Sequence, residues 1–139
     1  MKTRILRLCL VLSAILQIFI LCGCSGDPFI VFSTQNPKNG LNKNQIETNF
    51  KKGDTVYYAL IAPKGFKDDA VRISLSKKDT KSELWGYSNY RNKTIRTKGE
   101  NYYSDYFIIR EEGFFVLQAF FLQNLSKPIA TGVFRVYDN

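Results

Sequence analysis

The side chains able to do chemistry in this chain are aromatic rings, amides and basic groups, because the sequence contains no histidine. That absence removes the Ser-His-Asp and Cys-His nucleophile systems, the usual zinc ligand sets and the commonest general base. Carboxylates remain as acid–base groups. Asp68-Asp69 and Glu111-Glu112 are adjacent pairs, but neighbours on extended chain point to opposite sides, so neither pair builds a joint site. Both read as solvated turn charges, and the spacing around Asp68 and Asp69 is not that of a calcium loop. The chain has no glycine-rich phosphate loop. The sequence therefore predicts no catalytic residue, no metal, no cofactor and no enzymatic activity.

One constellation could recognise a ligand. Trp85, Tyr87, Tyr90, Arg91, Tyr102 and Tyr103 lie interleaved with Asn89, Asn92 and Asn101. Planar rings stack on sugar faces while amides and Arg bond hydroxyls, and the same residue types concentrate in the hot spots of protein interfaces. The competing role is structural: rings that cap one end of a hydrophobic core, with their hydroxyls reaching solvent.

The elements that must position these rings are short and β-prone. Residues 29–32 are such a run, 33–44 an Asn-, Pro- and Gly-rich loop, 46–50 a short strand and 51–54 a turn. Residues 56–62 are apolar on both faces and read as a central strand. Val71, Ile73 and Leu75 alternate with Arg72, Ser74 and Ser76, which sets an inner and an outer face. The pattern loosens over 83–98, with a weak strand at 94–97 and Ile95 inward. Residues 103–109 resume a strand. Residues 114–122 are the most hydrophobic run after the leader and belong at the centre of a sheet. Residues 129–137 are the last strand, with Gly132 as a bulge position. No segment beyond the leader repeats apolar residues at helical spacing. These features predict an all-β antiparallel sandwich of about seven to nine strands, with Val71, Ile73, Leu75, Phe115, Leu117, Ala119, Phe121, Phe134 and Val136 in one core. The closing residues, 112–120 and 132–137, resemble the last two strands of bacterial immunoglobulin-like domains. The resemblance implies an immunoglobulin-like β-sandwich and transfers no functional residue.

The N-terminus carries a different kind of signal. Lys2, Arg4 and Arg7 precede an apolar run at 8–21, and no acidic residue occurs before Asp27. As a helix, 14 residues rise about 21 Å, short of the ~30 Å hydrocarbon core, which fits an export signal better than a permanent span. The run ends in Leu21-Cys22-Gly23-Cys24. This resembles the lipobox of bacterial lipoproteins, with Cys22 where Ala, Ser or Thr is more usual. The resemblance implies cleavage before Cys24 and a diacylglyceryl thioether on that cysteine. An ordinary secretory peptide and an uncleaved anchor are the competing readings. By the same resemblance, Ser25 rather than Asp after the cysteine implies the outer membrane in a host with two membranes.

Residues 1–23 are then a signal peptide, 24–28 a short tether and 29–139 a single β-sandwich domain. Cleavage removes 23 of the 139 residues and leaves 116, enough to bury about two thirds of the unfolded surface. Cys9 and Cys22 depart with the leader, so the domain has no internal disulfide to rely on. The leader also takes three of 20 basic residues and none of 12 acidic ones, leaving a charge of +5. Such a domain beside a bilayer is drawn to anionic headgroups, although lysine also serves simply to solubilise. Export argues against nucleic acid as a partner. The expectation is a membrane-anchored, non-catalytic binding or structural module that contacts another envelope protein. The alternative is a glycan-binding module using residues 85–103.

Overall fold

The computed structural model describes residues 26–78 and 87–138. Eight strands form two sheets. They are β1 (Phe29–Ser33), β2 (Asn49–Lys51), β3 (Thr55–Ile61), β4 (Ala70–Lys78), β5 (Tyr87–Arg96), β6 (Tyr102–Ile108), β7 (Gly113–Phe121) and β8 (Ala130–Tyr137). One sheet has the order β1-β3-β6, the other β2-β8-β7-β4-β5. The all-β expectation and its strand count hold, and no α-helix occurs among the described residues.

Alternation builds the interior. In β8, Ala130, Gly132, Phe134 and Val136 are buried while every intervening residue is exposed. Phe115, Leu117 and Ala119 of β7 and Val71, Ile73 and Leu75 of β4 do the same on the adjoining strands. The β4–β7 register puts Ile73 opposite Ala119 and Leu75 opposite Leu117, so these side chains share one face. Of the nine core residues expected, eight are fully buried, and Phe121 is half-buried against them. The most hydrophobic run, β7, is the middle strand of five.

Three expectations need correction. The sandwich is not wholly antiparallel, because β2 pairs in parallel with β8 through Asn49↔Arg135, Phe50↔Val136 and Lys51↔Tyr137. The cause is the loop before it. Residues 34–48 contain two 3-10 turns, and their base is closed by Thr34 N–H to Gln45 O at 3.2 Å and Glu47 N–H to Phe32 O at 3.2 Å. The loop is an excursion that brings the chain back antiparallel to the end of β1 at the Ser33↔Ile46 bridge, after which β2 meets the edge of β8 in parallel. The second correction concerns residues 83–98. Their described part is no loose segment but the ten-residue strand β5, paired to β4 along its length. Its alternation is hidden because an edge strand buries little, and within it only Ile95 is fully buried among residues 89–96.

Gly132 is not a bulge either: the β7–β8 register passes through Leu117↔Gly132 without a shift. The position needs glycine for space. A Cβ there would lie 2.7 Å from Phe32 Cε2 and 2.8 Å from its Cζ. Gly132→Ala should therefore push the Phe32 ring out of its packing and cost about 1–3 kcal/mol. A urea midpoint unchanged from wild type would show that the ring gives way freely.

Candidate functional site

The two sheets meet differently on their two flanks. On one, β1 and β2 are joined by the chain itself, and β1 packs on β8. On the other, both sheets end in edge strands, β5 and β6, and a cleft of about 760 Å³ opens between them. Its floor is apolar: Tyr58, Ile73, Leu75, Phe107 and Leu117. Its rims are residues 90–93 of β5 and 105–108 of β6.

Strand register explains who faces the cleft. Arg91 and Lys93 pair with Leu75 and Ile73, so both charges stand on the inner face of β5. Asp105 pairs with buried Tyr58 and stands on the inner face of β6. Inward charges on edge strands resist further strand pairing in the wrong register. Here they also meet. Lys93 Nζ donates to Asp105 Oδ2 at 2.6 Å, joining the two rims, and Tyr103 Oη donates to the same oxygen at 3.0 Å. The Lys93 ammonium lies 5.5 Å from the Tyr103 ring centroid. Tyr58 stacks on Phe107 at 5.1 Å, and its ring centroid lies 6.3 Å from that of Tyr103, so the polar cluster abuts the core.

The register of β4 and β5 shifts between Leu75 and Ser76, leaving Tyr90 without a partner on β4. This bulge re-aims Tyr90, whose ring meets buried Phe115 edge-on at 5.5 Å and 84°.

The sequence-derived constellation is therefore divided. Tyr90 and Arg91 line the cleft. Tyr103 packs inward against the core, while Tyr102, one residue earlier, belongs to the outer face of the three-stranded sheet. Tyr87 opens β5, and Trp85 and Cys24 lie outside the described residues. The carboxylate pairs are exposed or turn charges: Asp69 lies 3.9 Å from Lys98, and Glu111 2.7 Å from Lys77. No group of metal-ligating side chains occurs among the described residues. Sequence reading missed Lys93, Asp105, Tyr106 and Ile108, the last two being 54% and 48% exposed on the rim.

No protein-family model and no curated protein matches the chain. A solved structure does. The crystal structure of the PmoD soluble domain from Methylocystis sp. (Rockwell) superposes with a TM-score of 0.53 at 10% identity, over 80% of this chain and 92% of that one. At that identity the likeness is one of fold, and it marks the sandwich as a β-rich architecture used elsewhere.

The electrostatics of the cleft follow from its hydrogen bonds. Burial, the largest influence on Asp105, raises its pKa. The bonds from Lys93, the Tyr106 N–H at 2.9 Å and Tyr103 together outweigh it and hold the carboxyl below its ordinary 3.8. The Lys93 ammonium is held above its usual range, chiefly by its bond to Asp105. Burial likewise lifts the hydroxyls of Tyr58 and Tyr103, so both stay protonated donors. A depressed carboxyl contributes stability that is fully present above its unfolded pKa and is lost as pH falls through the folded one. Asp105→Asn should thus cost about 1 kcal/mol at pH 7, modest because the side chain is 27% exposed. The gap to wild type should close below about pH 3.8. Urea midpoints at pH 7 and pH 3 check this, and a gap that widens in acid would refute it.

Proposed function

We propose that this chain is a lipid-anchored, non-catalytic binding module of the bacterial cell envelope, and that the cleft between β5 and β6 receives a segment of a partner protein. One observation carries the reading: an apolar floor left open where both sheets end in unpaired edges. A partner segment suits such a place by setting apolar side chains on the floor, with the polar rim residues giving selectivity. Tyr106 and Ile108 stand exposed on the outer face of the rim strand β6, and with Arg91 of the facing strand they have the composition of an interface patch. The glycan alternative draws less support. Tyr102 and Tyr103 point to opposite faces and Tyr90 is edge-on to Phe115, so these three rings offer no common platform.

The anchor rests on the leader and its Leu21-Cys22-Gly23-Cys24 ending. The immunoglobulin-like reading draws support from the strand order. An opening strand split between sheets and β8-β7-β4-β5 in one sheet parallel the G-F-C-C′ order of such domains. The lack of histidine supports a non-enzymatic role.

A photo-crosslinking residue at Ile108, introduced in cells, tests the site. It should give a discrete adduct with an envelope protein, and Tyr90→Asp on the facing rim should reduce that adduct at least tenfold. The same probe at Ser74, on the outer face of β4, should give none. Equal adducts from both positions would reject the cleft as the site.

A further inference from the structure

A second surface lies at the root of the tether. Gly26, Asp27 and Pro28 enter the fold beside a recess of about 570 Å³, lined also by Lys64 and Lys67 from the β3–β4 loop and by Lys127 and Pro128 from the β7–β8 loop. Lys64 lies directly across the chain here, since any side chain at Gly26 would collide with its methylenes. All three lysines are exposed. None is within ion-pair distance of a carboxylate among the described residues, unlike Lys52, Lys77, Lys93 and Lys98. Asp27 is the single acidic residue of the lining, and nearby Asp69 is drawn to Lys98. Two exposed apolar side chains adjoin the lining in sequence. Phe29 follows Pro28 and Leu122 follows Phe121, and each is 45% exposed.

We propose that this recess and its flanks are a docking face for an anionic lipid surface. The lysines would meet headgroup phosphates, and Phe29 and Leu122 would enter the interfacial layer. Charge favours this, because a basic side chain close to an anionic leaflet gains roughly fivefold in partitioning. Two exposed apolar side chains next in sequence to residues of a basic recess suit the boundary between headgroups and acyl chains. Position favours it too, because the chain toward Cys24 leaves from this recess. The four residues 25–28 reach no more than about 15 Å, so an acylated Cys24 would hold this end, and no other, against the bilayer. In that respect the inference rests on the proposed anchor.

The other lysine-rich turn serves as the control. Lys52 N–H bonds Tyr137 O at 2.9 Å and Gly53 N–H bonds Ile109 O at 2.9 Å, which places Lys51 and Lys52 at the far end of β8. A strand of that length separates the two ends by roughly 25 Å.

The test uses the full processed chain in vesicles, with Trp85→Phe removing the single tryptophan and Leu122→Trp reporting contact with brominated lipid. Quenching should be at least twofold stronger in phosphatidylglycerol–phosphatidylcholine vesicles than in phosphatidylcholine alone. Lys64→Gln, Lys67→Gln and Lys127→Gln together should bring it to the phosphatidylcholine level, and Lys51→Gln with Lys52→Gln should leave it unchanged. Equal quenching in both vesicles, or equal loss from the two sets of substitutions, would overturn the proposal. Inorganic phosphate at matched ionic strength should not compete; if it abolishes quenching, the recess is a soluble-phosphate site and the lipid assignment fails. Mass spectrometry of the same sample separates the two readings. Quenching without an acyl group would overturn the anchor and sustain the docking face, whereas an acylated, unquenched chain would do the reverse.

Discussion

Phe134→Ala is expected to destabilise the fold by about 3–5 kcal/mol, the range for deleting a fully buried ring. Phe134 is 1% exposed and sits where the two sheets meet. Its ring centroid lies 4.8 Å from Phe32 and 5.5 Å from Phe107, both in the three-stranded sheet. On its own side it lies 5.4 Å from Phe115 and 5.9 Å from Phe50. Truncation opens a cavity between four rings held by separate strands, and they can close on it only by bending hydrogen-bonded ladders. Collapse is therefore limited and the loss falls toward the upper part of the range. With no disulfide in the described domain to offset it, a loss of this size removes much of the 5–15 kcal/mol that stabilises a typical domain. Urea unfolding gives the number, with Arg72→Ala on the outer face of β4 as reference, expected to shift by about 0.5 kcal/mol or less. Comparable midpoint shifts for the two would mean that Phe134 is not the keystone its contacts indicate.

The facing of β4, β7 and β8 is legible in the sequence because each has a neighbour on both sides and one covered face, so hydrophobic residues must recur at every second position. Strand β3 is legible for another reason. As the middle of three strands it buries Val56 and then Tyr58, Ala59 and Leu60 in succession, and its run is largely apolar. Strand β5 fails this test. It has one neighbour, carries Arg91 and Lys93 on its inner face, and changes phase at the Leu75/Ser76 bulge, so no period survives to be read. The parallel pairing of β2 is equally hidden, since it depends on where the loop 34–48 returns the chain.

The cleft was only partly visible for related reasons. Tyr90 and Arg91 stand out by residue type, but the bulge that turns Tyr90 inward leaves no mark in composition. The separation of Tyr102 from Tyr103 follows from the same period of two that argues against joint carboxylates at 68–69 and 111–112, once both tyrosines are known to lie in one strand. The Lys93–Asp105 pair joins strands of different sheets. Nothing local signals it, because the approach of β5 to β6 is set by the whole sandwich.

The second large effect is expected at Cys24, which lies outside the described residues and whose role rests on the lipobox resemblance. Cys24→Ser should abolish acylation completely and leave unprocessed precursor, because the hydroxyl is a far weaker nucleophile than the thiolate toward the diacylglyceryl donor. Radiolabelled palmitate read on a gel is the measurement, and label retained in the variant as in wild type would refute the anchor. The consequence for function is positional. Pro28 stiffens the exit from a tether of residues 25–28, whose full reach is about 15 Å. On that reading the recess lined by Lys64, Lys67 and Lys127 would be held at the bilayer, with the cleft between β5 and β6 lying farther along the strands. A Gly-Ser insert after Asp27 should then leave acylation and the urea midpoint unchanged while weakening the Ile108 crosslink, since a longer tether would free the domain from the height at which the proposed partner would meet it. Energy transfer between labelled lipid and a dye on the domain reads the geometry directly. A wild-type domain standing ~40 Å or more above the bilayer would contradict the short-tether argument, whatever the state of Cys24.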